Sequence, residues 1–533
     1  MKDDSLKFHH PWAVWTGCAA IVAGVLAHMP MFAMGRHTGY RMVGMPMDTT
    51  MLVGMALIPL GLLLSAWGMM PRIEQLRALR THAGAVRFHV ADGVALNREH
   101  WKLVAVLVIA LAVDVLKPAS LGFVMPGMTE EYGISSETAG WLALVALTGT
   151  TVGSVLWGRI ADLFGRRAAI LLSALMFIGT AICGAMPSFG WNLAMCFLMG
   201  MSAGGLLPIT FTLMAEMVPA AHRGWLLVAL GGLGTSAGYL LAAGAADLLE
   251  PLFSWRALWL LGLPTGLLIV LLDRYIPESP RFLAGVGLQS QARAVLARYA
   301  GVLDDGGESD SHAPVESQRT TTRDLLRHGR GRITRGLWTC GLAWGLANFG
   351  FLLWLPTNLR EMGMDASTAS GLLARSALLA LPGIALVIWL YHRWSSIRAL
   401  VLFIALTATC LLAFFVMGMA GVRSQGAMLL ATAALLVCSS GVIAMLVPYA
   451  AEIYPVQLRG TGAGAVAASS KAGGIIGAAV GVLGLFDNMS LSALVIAVPM
   501  AVSAWMLLRA GVDTRGRRLE DIEHDFRATG LPR

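Results

Sequence analysis

Three ionisable side chains lie inside apolar stretches of the sequence. Asp114 follows Lys102 by twelve residues, which is about 18 Å into the apolar run at 1.5 Å per helical residue. Lys117 comes three residues later, on the same helical face, and Lys471 lies about ten residues into the run that begins near Thr461. A charge in hydrocarbon is costly and normally faces a cavity or a partner. The three side chains are therefore candidates for one cavity that binds a solute or a proton.

An intrahelical ion pair is the alternative for two of these residues. Asp114 and Lys117 are close enough along a helix to satisfy each other. Lys471 has no acidic neighbour within its own helix, so this explanation does not extend to it. A buried ammonium that lacks an internal partner favours an anion from outside.

An aromatic segment, LWTCGLAWGLANFGFLLWLPTNL, could supply one wall of such a cavity. Trp344 and Asn348 are four residues apart and therefore share a helical face, and Phe349 follows. Ligand sites are lined mainly by aromatic and apolar groups with a few polar ones. Aromatic residues of membrane helices also face lipid or pack against other helices, and that alternative stays open.

Methionine and histidine are concentrated near the amino terminus, in HMPMFAMGRH and RMVGMPMDTTM. Thioether and imidazole ligands suit Cu(I), so His28, Met29 and Met31 are the weak candidates for a metal site. Methionine is also a flexible filler of apolar interfaces, and the chain has 29 of them. We therefore expect an accessory helical hairpin here and no metal centre.

The composition excludes most soluble classes and most enzymes. Hydrophobic residues make up 56% of the chain and charged residues 13%, with a mean hydropathy of +0.69, as in polytopic membrane proteins. The sequence has no nucleotide-binding P-loop, no G-x-S-x-G and no H-E-x-x-H motif, so we expect neither an enzyme nor a cofactor. The six cysteines are scattered singly in apolar runs and predict no disulfide framework.

Charge and hydropathy together predict the topology. Fourteen apolar spans can be counted, and most arginines fall in alternate connections, which places both termini in the cytoplasm. The same distribution explains the formal charge of +8 without a nucleic-acid partner. We predict a hairpin and linker at 1–101, a six-helix half at 102–280, a cytoplasmic linker at 281–333, a second six-helix half at 334–510 and a tail at 511–533.

The short connection GRIADLFGRRA, residues 158–168, joins two of these spans. Its glycines let two helix ends approach and the backbone turn, and its arginines hold it on the cytoplasmic side. We predict a hinge held by charged groups, formed by Gly158, Asp162, Gly165, Arg166 and Arg167.

The two halves repeat each other. Glu216 and Arg223 in AEMVPAAHRG match Glu452 and Arg459 in AEIYPVQLRG, 236 residues later, and the same offset carries PESPRF (277–282) onto DTRGRR (513–518). We predict that Glu216 pairs with Arg223, and Glu452 with Arg459, at helix ends that close a cytoplasmic gate. Ordinary interfacial ion pairs, which contribute little when exposed, are the alternative.

These motifs resemble those of the major facilitator superfamily. Residues 158–167 are similar to its loop signature G-x-x-x-D-x-x-G-R-R, and PESPRF and DTRGRRLEDI resemble the closing motifs of its sugar-porter and organic-ion branch. The resemblance implies an all-α integral membrane protein of two six-helix halves, here with an added N-terminal two-helix hairpin, about fourteen transmembrane helices in all. One departure is Cys196, which stands where many relatives carry an arginine tied to proton coupling.

We therefore expect a secondary transporter in a bacterial inner membrane. The excess of buried lysine favours a small organic anion, such as a carboxylate with an apolar or aromatic body, moved by alternating access. An exporter of drugs or metal chelates and a non-transporting receptor are the alternatives. The expected partners are the solute, membrane lipid and, if transport is coupled, a proton, with the chain acting as a monomer. Substrate identity, direction and coupling stay open.

Overall fold

The structure is a computed structural model that describes residues 9–69, 94–286, 288–300, 325–326, 330–422, 424–454, 456–484 and 488–514. Within these ranges every regular element is a helix. Thirteen helices are long and apolar enough to cross a membrane, and Ala257–Leu271 is a shorter apolar helix. This confirms the predicted all-α membrane fold, although the span predicted at 255–276 is shorter than expected.

The chain forms two compact units. The first comprises Met1–Ser135, Val145–Leu226 and Gly244–Asp305. Its helices are α1 (Pro11–Leu26), α2 (Met29–Met34), α3 (Thr49–Met69), α4 (Arg98–Tyr132), most of α5 (Ser136–Phe164), α6 (Arg166–Gly179), α7 (Phe189–Met217), the ends of α8 (Ala220–Phe253), α9 (Ala257–Leu260), α10 (Gly262–Leu271), α11 (Pro280–Gly285) and α12 (Gln289–Ala300).

The second unit comprises Ser136–Leu144, Leu227–Ala243 and Gly306–Arg533. It therefore takes the first residues of α5 and the middle of α8, whereas the predicted halves were continuous segments. Its own helices are α13 (Gly331–Leu346), a π-helix (Ala347–Leu352), α14 (Leu355–Glu361), α15 (Ala366–Arg393), α16 (Ser396–Met419), α17 (Gln425–Ile453), α18 (Val456–Val482) and α19 (Met489–Ala510).

The N-terminal hairpin packs along a seam of small residues. A Cβ on Gly17 would lie 2.5 Å from the carbonyl oxygen of Gly61, and one on Gly24 would lie 2.6 Å from that of Gly54. Helices α1 and α3 therefore touch backbone to backbone, as small residues allow in membrane helix pairs. Any side chain at these positions would push the two helices apart.

The hairpin also covers helix α6 of the first unit. All residues in the most apolar 18-residue stretch of the segment Arg166–Ala185 are buried. A Cβ on Gly179 would lie 2.6 Å from the side chain of Ile58 in α3. A membrane helix at the edge of a bundle normally exposes one face to lipid. Here α1 and α3 occupy that face, so the hairpin is part of the first unit rather than a separate body.

A buried ion pair holds the loop between α2 and α3. It lies near the C-terminal end of the segment Arg166–Ala185. Arg256 Nη2 lies 2.7 Å from Glu131 Oε1, and their side chains are 0% and 5% exposed. Arg256 also donates to the carbonyl oxygens of Gly184 and Met186. Glu131 accepts the backbone N–H of Met42 at 2.8 Å. Such a pair is tolerated in the interior only when its remaining donors and acceptors are satisfied, and these bonds satisfy them.

In the second unit, helices α13 and α18 approach through glycines. A Cβ on Gly345 would lie 2.1 Å from the carbonyl oxygen of Ser470, and one on Gly473 would lie 2.1 Å from that of Leu342. Directly after this contact the α-helix widens into the π-helix Ala347–Leu352. Single-turn π segments inside α-helices occur frequently at functional sites. The sequence pattern did not predict this one.

Candidate functional site

A single residue, Gly165, joins helices α5 and α6. The sequence predicted a loop over 158–168, but α5 continues to Phe164 and α6 begins at Arg166. Gly165 has φ +107°, and a Cβ there would lie 2.2 Å from Glu278 Oε2. Only glycine meets both conditions, because other residues rarely adopt this backbone region. Gly158 lies within α5, and a Cβ at this position would have no neighbouring atom within 4 Å. The prediction that Gly158 lets two helix ends approach is therefore wrong.

Glu278 caps the start of helix α6. Its Oε1 accepts the backbone N–H of Arg166 at 2.8 Å, and its Oε2 accepts that of Arg167 at 3.2 Å. The backbone N–H of Ser279 also donates to Oε1, at 2.9 Å. The first N–H groups of a helix lack partners within the helix and favour a negative charge. The PESPRF segment therefore supplies the N-terminal cap of a helix more than a hundred residues earlier in the sequence.

Burial dominates the ionisation of this carboxyl. It raises the pKa of Glu278 from its ordinary value of 4.5 to about 7, against the opposing effect of the backbone hydrogen bonds and of the Arg166 charge. The guanidinium groups of Arg166 and Arg167 are directed to other carboxylates, so Glu278 gains little from them. Its proton affinity consequently falls in the physiological range.

The two arginine side chains bind separate acids. Arg166 Nη2 lies 3.2 Å from Glu216 Oε1, with both side chains 14% exposed, and 3.5 Å from Asp162 Oδ1, which is 77% exposed. Arg167 forms a two-point contact with Asp273, from Nε to Oδ1 at 2.8 Å and from Nη2 to Oδ2 at 2.7 Å. We call Gly165, Arg166, Arg167, Glu216, Asp273 and Glu278 the Gly165 junction.

The predicted pairing of Glu216 with Arg223 is wrong. Glu216 binds Arg166 instead, and Arg223 Nη2 donates to the carbonyl oxygen of Val218 at 3.4 Å. The sequence spacing placed Glu216 and Arg223 at adjacent helix ends. The junction, however, brings Arg166 to Glu216 from another helix. Arg459, the predicted partner of Glu452, has its side chain outside the described residues.

The corresponding positions of the second unit place hydroxyl groups beside a carboxylate. The offset that relates the halves carries Glu216 to Glu452 and Glu278 to Thr514. Glu452 Oε2 accepts hydrogen bonds from Thr514 Oγ1 at 2.6 Å and from Tyr391 Oη at 2.9 Å. At the start of α16 the backbone N–H of Ser396 donates to Asp513 Oδ1 at 3.1 Å. Asp513 thus caps α16 as Glu278 caps α6, and hydroxyl groups bind Glu452 where an arginine binds Glu216.

Lys117 lies in the interior of the first unit. It is fully buried, and its Nζ donates to Thr180 Oγ1 at 2.6 Å and to the carbonyl oxygen of Phe177 at 3.0 Å. The ammonium also lies 4.3 Å from the centroid of the Phe177 ring. Gly262 leaves room for it, since a Cβ there would lie 2.4 Å from Lys117 Nζ. These contacts replace the intrahelical pair with Asp114 considered above.

Asp114 lies one turn before Lys117 on α4 and is 4% exposed. The structure thus places a carboxyl deep in the span, as predicted from its position in the sequence. Cys196, which stands at the place of an arginine in many relatives, is also fully buried, and it lies within electrostatic range of Lys117. The buried cation of this region therefore comes from α4 rather than from α7.

Two residues of the predicted aromatic wall, Trp344 and Phe349, contact each other in the second unit. Trp344 and Phe349 meet edge to face, with ring centroids 6.2 Å apart at 87°. Trp344 Nε1 donates to the carbonyl oxygen of Ser439 at 2.9 Å, which fixes the indole. Trp344, Asn348 and Phe349 are partly exposed, whereas Gly345 and Gly350 are buried. Asn348 and Phe349 belong to the π-helix.

Lys471 lies on α18, the helix that packs against this wall. Its neighbour Ser470 meets Gly345, and a Cβ on Gly474 would lie 2.8 Å from the Phe349 ring. Lys471 is one turn before Gly474, hence on the same face of α18, and is partly exposed. Lys471 therefore lies one helical turn from the point where α18 contacts the Phe349 ring.

The N-terminal candidates are packed against the first unit. His28 is 1% exposed and Met31 is 3% exposed, while Met29 is partly buried. In the part of the chain that the structure describes, no three His, Cys, Asp or Glu side chains are grouped to hold a metal ion.

These features define a polytopic helical membrane protein built from two related units with matching helix-start contacts. The sequence pattern of the Major Facilitator Superfamily matches residues 103–478. The chain belongs to this superfamily, and the N-terminal hairpin lies outside the matched region.

Several proteins with similar sequences are named as transporters. The niacin transporter NiaP of Acinetobacter baylyi is 26% identical over 440 residues, which cover 81% of this chain and 98% of that protein. The 4-hydroxybenzoate transporter PcaK of Pseudomonas aeruginosa is 30% identical over 439 residues, covering 77% and 93%. Among solved structures, the xylose transporter XylE from E. coli matches with a TM-score of 0.64 at 17% identity, over 79% of this chain and all of that chain. The last comparison bears on the fold alone.

The junction predicts different effects for two aspartates that both face an arginine. Asp273→Asn breaks the buried two-point contact with Arg167 and should lower the free energy of unfolding by about 3 kcal/mol. Asp162→Asn removes an exposed partner of Arg166 and should lower it by about 1 kcal/mol or less. Unfolding of the two variants in detergent, followed by tryptophan fluorescence, measures the difference. Equal destabilisation would contradict the assigned partners.

The raised pKa of Glu278 predicts a pH dependence of stability. A carboxyl with a raised pKa stabilises the folded protein fully below pH 4.5, and this contribution is lost as the pH rises through about 7. The melting temperature of the natural protein should therefore fall relative to that of Glu278→Gln between pH 5 and pH 8. Glu137→Gln, an exposed change, should not alter the profile. Parallel curves for the natural protein and Glu278→Gln would show that Glu278 does not titrate in this range.

Proposed function

We propose that this protein is a secondary transporter that moves a small organic anion with an aromatic body across the membrane by alternating access. The observation that carries the proposal is the contact between the Trp344 and Phe349 rings in the second unit, with Lys471 on the adjoining helix α18. Two rings held edge to face offer an apolar surface for a third ring. A lysine on the adjoining helix offers a partner for a carboxylate.

The named relatives support the aromatic carboxylate. Niacin and 4-hydroxybenzoate, the solutes in the names of NiaP and PcaK, each combine one ring with one carboxylate. The relatives do not decide the matter alone, because the fold also carries xylose in XylE. The lysine and the rings of this chain are the features that favour an anion.

The proposed mechanism uses the Gly165 junction and its counterpart at Glu452 to hold the cytoplasmic side closed in one state. The arginine-rich connections support a cytoplasmic position for this end and for both termini, in a bacterial inner membrane. The protein acts as a monomer and performs no chemistry on its substrate. Export from the cell and ligand sensing without transport are the alternatives that the experiments below separate.

Uptake of paired solutes by proteoliposomes tests the proposal. Nicotinate and nicotinamide share a ring and differ in charge, so the carboxylate should enter at least tenfold faster than the amide. 4-Hydroxybenzoate and xylose extend the comparison to a larger ring and to a sugar. Binding without entry would indicate a receptor. Entry of the amide or xylose in preference to both carboxylates would contradict the assignment.

Lys471 variants test the residue that sets the charge preference. Lys471→Ala should raise the KM for the carboxylate at least tenfold, whereas Lys471→Arg, which keeps the charge but changes its shape, should raise it less. Lys102→Ala serves as the matched control. Lys102 lies near the start of α4, where its exposed side chain forms an ion pair with Glu99. An unchanged KM in Lys471→Ala would remove Lys471 from the site.

We further propose that Asp114 carries the proton if transport is coupled to a pH gradient. Asp114 is a buried carboxyl inside a membrane helix, a position that is normally retained for a functional reason. Asp114→Asn cannot release a proton, so it should abolish gradient-driven accumulation while counterflow exchange of labelled substrate persists. Asp114→Glu should restore part of the accumulation. Full accumulation by Asp114→Asn would place the coupling group elsewhere.

A further inference from the structure

His28 holds a buried nitrogen with no hydrogen-bond partner. The ring is 1% exposed, and Nδ1 lies 2.8 Å from the carbonyl oxygen of Gly24. Because a carbonyl oxygen only accepts, Nδ1 carries the hydrogen and Nε2 carries the free lone pair. Nε2 is buried and makes no hydrogen bond with any described residue. A buried lone pair of this kind is rare in folded proteins and requires an explanation.

Three buried methionines lie in the same N-terminal hairpin as His28. Met31, Met42 and Met51 are 3%, 0% and 1% exposed and form one buried cluster with Phe32. A Cβ on Gly54 would lie 3.1 Å from His28 Cε1, the ring carbon bonded to Nε2. Met51 lies one turn before Gly54 on α3, and Met31 lies one turn after His28. Met51 therefore lies on the same helical face as Gly54, and Met31 lies on the same helical face as His28.

We propose that His28 Nε2 and the sulfur atoms of Met31 and Met51 bind one Cu(I) ion. Thioethers and neutral imidazole are the ligands that this soft ion prefers, whereas Zn²⁺ and the hard cations favour thiolate or oxygen donors. All three ligands are neutral, so the ion enters without displacing a proton from them. Asp48 lies within electrostatic range of the His28 ring and supplies a compensating charge for a cation in an apolar surrounding.

The site lies apart from the residues proposed for transport. Its ligands come from the hairpin, which is outside the region matched by the superfamily pattern, while the proposed substrate residues lie on α13, the π-helix and α18. A bound ion would join the end of α1 and the start of α2 to α3. The site thus assigns Met31 and Met51 a role in ligand binding in addition to packing.

Copper binding by the purified full-length protein in detergent tests the proposal. The protein is loaded with Cu(I) under reducing, oxygen-free conditions and titrated with a chromogenic Cu(I) chelator. We expect one ion per chain, with at least tenfold weaker retention in Met31→Leu and in Met51→Leu. Leucine preserves the buried volume approximately. Met214→Leu, a fully buried methionine of α7, is the matched control and should retain copper like the natural protein.

X-ray absorption of the loaded natural protein provides a second measurement that does not require the variants to fold. We expect one nitrogen and two sulfur neighbours around the copper. Substrate uptake should stay unchanged in both methionine variants, since they lie outside the proposed transport residues. Equal copper retention by the Met31→Leu/Met51→Leu double variant, or a copper shell that lacks a nitrogen neighbour, would overturn the proposal.

Discussion

The contact between the Glu278 carboxylate and the first backbone N–H groups of α6 determines how α5 and α6 are joined in the first unit. The start of a helix presents donors that have no partner within the helix, and a carboxylate placed there satisfies two at once. Glu278 Oε2 lies so near Gly165 that a Cβ at that position would overlap it. The helices α5 and α6 can therefore be joined by one residue only because that residue is glycine.

This arrangement also explains where the arginine side chains go. Since Glu278 is occupied by backbone groups, Arg166 and Arg167 are left to bind Glu216 and Asp273. One carboxylate thus organises the backbone, and two others bind the guanidinium groups. In the second unit Asp513 performs the backbone role, while Thr514 and Tyr391 bind Glu452. Both units therefore cap a helix start with a carboxylate, and they differ in the side chains that bind the neighbouring glutamate.

The sequence predicted the features that depend on local pattern and missed those that depend on long side chains. Hydropathy located the spans, and the spacing of Trp344 and Asn348 placed both residues on one face of a helix. Helical spacing suggested Asp114 as an alternative partner for Lys117, but the Lys117 side chain reaches Thr180 at the end of α6, and helical spacing cannot foresee that reach. Glu216 was mispaired for the same reason. The π-helix, which directly follows the close glycine contact between α13 and α18, was missed because the sequence periodicity of one segment does not reveal a local widening of its helix.

The position of the hairpin has a consequence for how the protein is made. Helices α1 and α3 precede α6 in the chain, and their glycine seam is complete without any later segment. The surface that covers α6 is therefore already in the bilayer when α6 leaves the ribosome. A helix that would otherwise expose one face to lipid meets a preformed neighbour on insertion, so the added pair of helices acts as a built-in template for membrane assembly of the first unit.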